Sequence, residues 1–191
     1  MANFTKSPIL TQRFTDALIL ASQLHANQVR KGDIQCPYIS HLMSVAALVL
    51  EMGGNEDEAI AALFHDAVED VNYTLTEIET QFGKNVSSIV NCLTEDKSIE
   101  NRGERKTNYL ESIRDGNDSV KRIALADKVH NGVCYLLNSN LLTQEIIDFY
   151  QTLIVIYYKT SFKSPKVADN CKNHLEQLRN IYWQMKNLLT E

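Results

Sequence analysis

Proline is scarce and unevenly placed in this sequence of 191 residues. The chain has three prolines, and none of them lies between Tyr38 and Ser164. Because proline breaks helix interiors, so long a proline-free stretch can form helices throughout. Seven glycines are scattered along the chain, and they form no Gly-rich phosphate-binding loop. The sequence therefore favours helices and argues against a site built on such a loop.

Paired cysteines and long apolar runs are also missing. The four cysteines form no CxxC motif, and the first residues, MANFTKSPILTQRF, have no apolar signal core. Reduced structural thiols are therefore expected. The longest apolar runs have six residues, whereas a bilayer span needs about 20. We expect a cytoplasmic protein without a membrane partner.

Positive charge is in the minority. The chain has 19 Lys and Arg residues against 24 Asp and Glu residues, and its net charge is -5. This balance argues against general nucleic-acid binding. With 44% hydrophobic and 23% charged residues, the composition is that of a globular protein. The length predicts one domain.

Apolar residues recur at three- and four-residue spacing, as in Phe14, Leu18, Ala21 and Leu24. This spacing is typical of amphipathic helices, and glycines fall where the patterns stop. The predicted helices cover residues 11–29, 38–52, 55–70, 75–82, 84–95, 102–115, 118–138, 143–162 and 165–189. The predicted fold class is all-α, a single-domain helical bundle.

One segment, LFHDAVED at residues 63–70, concentrates a histidine and three acids. At about 100° per residue, a face about 140° wide carries His65, Asp66, Glu69 and Asp70. Such a polar face is most often a solvated surface. This one has no cation to pair its acids, which is more typical of a metal or proton-transfer site.

Two further polar residues stand in apolar surroundings. His41 lies in PYISHLMSVAALVL, where a histidine alone is more often a hydrogen-bonded core residue than a ligand. Asp127 lies in RIALADKVHN, and a buried carboxylate there needs a cation or strong donors. Lys128 is expected to point elsewhere on the helix. A divalent transition ion would satisfy four residues together, namely His41, His65, Asp66 and Asp127.

The pattern His…His-Asp…Asp resembles that of the HD-domain metal-dependent phosphohydrolases. Longer segments are similar to the hydrolase domain of the RelA/SpoT family, in particular its small stand-alone alarmone hydrolases. These segments are HANQVRKGDIQCPYISHLMSVA, AALFHDAVEDVNYTLTEIETQFG, LTEDK, GERK and IALADKVHN. The resemblance runs from about residue 12 to residue 131. It implies that residues 1–191 form a single HD hydrolase domain, without a synthetase, on which helices over 143–189 pack.

The resemblance also implies roles for individual residues. The implied ligands of a single manganese ion are His41, His65, Asp66 and Asp127. The acids implied to serve the attacking water are Glu69 and Asp70. The implied substrate contacts are Arg30 and Lys31 at the purine, Lys128 and Asn131 at the ribose and phosphates, and Arg102, Arg105 and Lys106 at further phosphates.

The implied reaction is removal of the 3′-pyrophosphate from guanosine tetra- and pentaphosphate, so the implied partner is a small purine nucleotide. Two departures from the family stand out: Leu42 replaces a proline after His41, and Val133 replaces an arginine near Asn131. The loss of that arginine affects distal phosphate contacts and substrate preference. Arg30 could instead be a charge that caps the end of the first helix.

Three other functions stay open from the sequence. The same chemistry could act on an adenosine alarmone or on the 2′-phosphate of NADPH. The chain could also be another HD-type nucleotide hydrolase, or a nucleotide sensor that has kept the same residues but has no turnover. A homodimer is one option for the oligomeric state, because apolar residues of the region 143–162 could form either core or a dimer surface.

Overall fold

Helices make up most of the chain. The computed structural model describes residues 10–32, 35–160 and 162–190. The α-helices in these parts are α1 (Gln12–Leu24), α2 (Ile39–Glu51), α3 (Glu56–Phe64), α4 (Ala67–Asp70), α5 (Leu75–Phe82), α6 (Lys84–Leu93), α7 (Arg102–Asp115), α8 (Asp118–Leu137), α9 (Gln144–Thr160) and α10 (Pro165–Thr190). A 3₁₀ helix (Ser139–Leu141) follows α8. The predicted all-α fold is confirmed, and none of the described helices is long and apolar enough to cross a bilayer.

Helix α8 lies at the centre of the fold and contacts α2, α3, α6, α7 and α10. Its middle part, from Ile123 to Asp127, is buried throughout. Gly132 lets α10 approach α8 closely, because a Cβ there would lie 2.5 Å from Ile181 Cγ2. The packing of α8 thus explains why a carboxylate in its middle, Asp127, is enclosed by the core.

Helix α9 contributes to the core rather than standing free. Leu153 and Tyr157 are buried, Ile154 and Ile156 are half-buried, and Tyr158 is exposed. The Tyr157 hydroxyl donates a hydrogen bond to a backbone carbonyl of α8 at 2.7 Å. The apolar pattern of this helix therefore serves mainly to pack it onto the bundle. That the whole chain forms one hydrolase domain stays a prediction.

The first predicted helix, 11–29, is too long. Helix α1 ends at Leu24, and the chain then forms an isolated antiparallel bridge between Val29 and Pro37. The Arg30 N–H donates to Cys36 O at 2.8 Å, and the Tyr38 N–H donates to the carbonyl of residue 28 at 2.9 Å. These long-range bonds replace the helical ones. The prediction that the first helix continues to residue 29 is therefore wrong.

The predicted helix 55–70 is interrupted. Asn55 and Glu58 form a capping box that starts α3. The chain then turns at His65 and Asp66 before the short α4. The Asp70 N–H donates to Asp66 O at 2.9 Å, so the helical bonds resume directly after the turn. The turn lies next to the imidazole and carboxylate that the sequence singles out.

Candidate active site

Three buried side chains meet where α2, α3 and α8 converge. His41 lies in the first turn of α2, His65 directly follows α3, and Asp127 lies in the middle of α8. Their potential ligand atoms all lie within 4.8 Å of one another. Asp127 Oδ1 is 3.3 Å from His41 Nε2 and 3.6 Å from His65 Nε2. The structure thus brings together three of the four predicted metal ligands in one compact group.

Asp66, the fourth predicted ligand, reaches the same point from the turn after α3. Its Oδ2 lies 3.1 Å from His65 Nε2 and 3.5 Å from His41 Nε2. The Tyr38 hydroxyl donates a hydrogen bond to the same oxygen at 2.6 Å. Asp66 is therefore held by a residue that the sequence analysis did not single out, although Tyr38 lies only three positions before His41.

The imidazole rings of His41 and His65 are each oriented by a contact at Nδ1, the nitrogen that points away from the acids. His65 Nδ1 lies 2.8 Å from Ala62 O, which can only accept, so Nδ1 carries hydrogen. His41 Nδ1 lies 2.9 Å from His130 Nδ1. Burial, together with the neighbouring His41 and Arg30, lowers the pKa of His130 to about 4. A neutral His130 can accept the His41 Nδ1 hydrogen, which leaves both Nε2 atoms free to act as ligands.

Both free Nε2 atoms are buried and have no hydrogen-bond partner in the described parts of the chain. Each Nε2 faces carboxylate oxygens of Asp66 and Asp127. The lone pair of an unprotonated Nε2 would repel those of the oxygens unless a positive charge lies between them. Burial lowers the pKa of His65, but Asp66 and Asp127 raise it well above its ordinary value. Two imidazoles and two carboxylates are a donor set that divalent transition ions accept. The residues present therefore fit a metal ion.

Asp127 has two additional partners from its own helix. Lys128 Nζ lies 2.5 Å from Asp127 Oδ2, and Asn131 Nδ2 donates to Asp127 Oδ1 at 2.5 Å. The expectation that Lys128 points elsewhere is wrong. Its Nζ also lies 5.3 Å from the ring centroid of Tyr109, so an aromatic wall directs the long side chain back to the acid.

A cavity of about 670 Å³ opens over this group. Six of the seven residues implied to contact substrate line it, namely Arg30, Lys31, Arg102, Lys106, Lys128 and Asn131. In total, six carboxylates and five cationic side chains line this cavity. A bound divalent ion would change that balance from a net negative to a net positive charge, which a polyphosphate ligand requires.

Glu69 and Asp70 also line the cavity. Glu69 Oε1 accepts a hydrogen bond from the Glu95 N–H at 2.8 Å, and Asp70 Oδ2 accepts one from Gln28 at 2.9 Å. Burial raises the pKa of Glu69, and so does the nearby charge of Glu95. The backbone hydrogen bond opposes this rise but does not cancel it. The acids are not wholly without a cation, since Lys97 Nζ lies 3.9 Å from Glu69 Oε2. A carboxylate with a raised pKa is suited to accepting and returning protons.

Arg30 is held at the cavity by contacts unrelated to helix capping. Its Nη2 donates to Asn131 Oδ1 at 2.7 Å, and its guanidinium carbon lies 5.7 Å from the centroid of the Tyr38 ring. The opposing interpretation, in which Arg30 caps the first helix, is wrong because α1 ends at Leu24.

The cations of α7 divide into two groups. Arg105 Nε and Lys106 Nζ lie 3.2 and 2.5 Å from the Glu95 carboxylate. Arg102 Nε instead lies 3.0 Å from Glu145 Oε1, at the start of α9. Lys106 lines the cavity, whereas Arg105 is not among its lining residues. Glu95 lies in LTEDK, a segment of the family resemblance for which no role is implied, and no pattern in the sequence points to Glu145.

A family model described as HD domain matches residues 17–153 of this chain. The chain belongs to the HD-domain family. The segment of the match includes the whole group of histidines and acids described above.

The chain is similar to several proteins that are named as hydrolases. It is 40% identical over 118 residues to the Xenopus tropicalis guanosine-3′,5′-bis(diphosphate) 3′-pyrophosphohydrolase MESH1. These residues make up 61% of this chain and 65% of the relative. The Drosophila melanogaster protein of the same name is 35% identical over 121 residues, covering 62% of this chain and 67% of the relative. The chain thus spans just under two thirds of the first of these proteins.

The fold has similar solved structures. One, described as a metazoan ortholog of SpoT that hydrolyzes ppGpp, has a TM-score of 0.75 and 26% identity, covering 91% of this chain and 98% of that one. Another, lmo0812 from Listeria monocytogenes, has a TM-score of 0.64 and 25% identity, covering 75% and 99%. The HD-type helical fold predicted from the sequence is confirmed.

Proposed function

We propose that this protein is a metal-dependent hydrolase that removes the 3′-pyrophosphate of guanosine 3′,5′-bis(diphosphate). The products are GDP, or GTP from the pentaphosphate, and pyrophosphate. The observation that carries the proposal is that one cavity is lined by metal-type donors, by Glu69 and Asp70, and by five cations. The relatives named for this reaction and the shared HD-type fold support it.

The metal is proposed to be one manganese ion per chain, held by His41, His65, Asp66 and Asp127. When bound, such an ion counters the charge of phosphoryl oxygens and lowers the pKa of a bound water. Its proposed ligands are already oriented: His65 by a backbone carbonyl, His41 by His130, and Asp66 by Tyr38. Preformed ligands bind an ion without a further ordering cost.

The chain's own groups carry the proton transfers. In our proposal Glu69 accepts a proton from the attacking water at its carboxylate, and Asp70 orients that water or protonates the leaving oxygen. Three residues that also line the cavity bind the nucleotide, namely Arg30, Lys128 and Asn131. Because each phosphate group carries negative charge, Arg30 and Lys128 favour phosphorylated nucleotides over neutral nucleosides. A cytoplasmic location is part of the same proposal.

A substrate panel tests the assignment. Manganese-loaded protein is incubated with guanosine and adenosine 3′-pyrophosphates and with NADPH, and pyrophosphate, phosphate and nucleotide products are quantified. We expect equimolar pyrophosphate and GDP from the guanosine tetraphosphate. Because Val133 replaces the family's arginine, the tetra- and pentaphosphate should be cleaved with similar efficiency. If only NADPH is hydrolysed, with release of phosphate, NADPH is the substrate in place of the guanosine nucleotide. Tight binding without any product would indicate a sensor.

A further inference from the structure

An ion pair joins α7 to α9 at the edge of the cavity. Arg102 Nε lies 3.0 Å from Glu145 Oε1. Both residues line the 670 Å³ cavity and also a smaller neighbouring cavity of about 270 Å³. The pair therefore lies where the two cavities adjoin, and it places a carboxylate next to one of the cations that would meet an anionic ligand.

This pair differs from the other ion pairs in the cavity wall. The carboxylate partners of Lys128 and Lys106 are largely buried, with side-chain exposures of 5% for Asp127 and 13% for Glu95. Arg102 and Glu145 are 64% and 56% exposed. Exposed pairs are worth little because water competes with both partners. A phosphate can therefore replace Glu145 at Arg102 far more readily than it can replace Asp127 or Glu95.

We propose that Glu145 limits the affinity of this cavity for polyphosphorylated nucleotides by occupying the Arg102 guanidinium that a substrate phosphate must take over. The inference rests on the proposed hydrolase function. A guanidinium binds a phosphate through two parallel N–H donors, as it binds a carboxylate, so the two anions compete for one partner. Glu145 touches no reacting atom; it determines affinity, not chemistry.

The competition makes a kinetic prediction. An interaction that changes equally in the bound substrate and in the transition state alters KM and leaves kcat unchanged. Glu145→Gln keeps the side-chain shape and releases Arg102. We expect it to lower KM for guanosine 3′,5′-bis(diphosphate) roughly two- to fivefold, the scale of an exposed ion pair, at constant kcat. The melting temperature should stay the same because both side chains are exposed.

A matched control separates this effect from a general change in charge. Glu111→Gln removes one negative charge from α7. Glu111 pairs with Arg114 at 3.4 Å, and neither residue lines the cavity. It should leave KM unchanged. A second comparison uses Arg102→Gln as background. If Glu145 acts by holding Arg102, adding Glu145→Gln to Arg102→Gln gives no further gain, whereas simple repulsion of the substrate would lower KM in both backgrounds and overturn the proposal.

Calorimetry of tetraphosphate binding distinguishes this inference from the assignment of function. It uses manganese-loaded protein that carries Glu69→Gln and Asp70→Asn, which slow turnover but keep metal and nucleotide binding. In this background, tighter binding with Glu145→Gln than with Glu145 intact or with Glu111→Gln supports the role of Glu145, whatever the turnover. If the wild type hydrolyses the tetraphosphate but Glu145→Gln behaves like Glu111→Gln in both KM and binding, the role of Glu145 is wrong and the hydrolase proposal stands.

Discussion

Lys128 Nζ lies 2.5 Å from Asp127 Oδ2, so two residues adjacent in sequence form an ion pair in the wall of the cavity. The opposite oxygen of the same carboxylate, Oδ1, faces the imidazoles of His41 and His65. Lys128 therefore neutralises one side of Asp127. On the other side Oδ1 accepts a hydrogen bond from Asn131 and has a second lone pair that a metal can use. Burial opposes both charges, but the mutual attraction raises the pKa of Lys128 and lowers that of Asp127.

The first prediction follows from that pair. Lys128→Met removes the ammonium group beside Asp127 and leaves Asn131 and the two imidazoles as its partners, so in chelator the free energy of unfolding should fall by roughly 2 kcal/mol. Manganese should restore part of this loss because it supplies the missing positive charge. Urea denaturation with and without metal measures both terms. Lys172→Met, at an exposed position of α10, is the control, and an equal loss with and without metal would show that Lys128 contributes through packing alone.

A second prediction concerns Tyr38. Tyr38→Phe removes the hydroxyl that donates to Asp66 Oδ2 and keeps the ring. Because partners that orient metal ligands contribute strongly to metal affinity, manganese should bind about 10- to 100-fold more weakly. Tyr158→Phe is the control, because it removes a hydroxyl that donates to Glu176 of α10 and not to a proposed metal ligand. Its manganese affinity should equal that of the wild type. Equal metal affinity in all three proteins would exclude the proposed role of Tyr38.

The position of the metal-type group could be foreseen because two kinds of signal coincided. His65 and Asp66 stand among acids without a nearby cation in sequence, and Asp127 stands in an apolar run where a lone carboxylate is costly. Their partners could not be foreseen. Tyr38 and His130 act through their tertiary neighbours, and no local periodicity records such contacts.

The ends of the helices do not follow from the sequence pattern as directly as the site does. The pattern over 11–29 continues past Leu24, but backbone bonds between residues 28–30 and 36–38 replace the helical bonds. Such pairing depends on residues distant along the chain, so local propensity does not report it. The same limit explains Lys128, whose direction is decided by Tyr109 and Phe149 on neighbouring helices.

The third prediction tests the proposed proton transfers. Glu69→Gln and Asp70→Asn preserve size and most hydrogen bonds but remove the charge that accepts a proton. Each should lower kcat by roughly 100-fold or more, while manganese and nucleotide still bind. The measurement is steady-state kinetics beside metal analysis, with Glu79→Gln on the exposed side of α5 as control. Wild-type kcat in both variants would remove these acids from the mechanism.

A fourth prediction concerns Arg30. Arg30→Ala removes the contact with Asn131 and a cation of the cavity wall, so KM for the guanosine tetraphosphate should rise several-fold. The melting temperature should hardly change, because no helix end depends on Arg30. Arg179→Ala, in a surface pair with Glu176, should leave both values unchanged. An intact KM with a lowered melting temperature would point to a purely structural role for Arg30.

The most direct test of the central claim is a manganese titration of the metal-free protein, with metal content and hydrolysis of guanosine 3′,5′-bis(diphosphate) followed together. We predict that activity rises in proportion to bound manganese up to about one ion per chain, and that Asp127→Ala loses both metal and turnover. Full metal content and full turnover in Asp127→Ala would contradict the proposed ligand set. No pyrophosphate release by the loaded wild type from any 3′-pyrophosphorylated purine nucleotide would contradict the hydrolase itself.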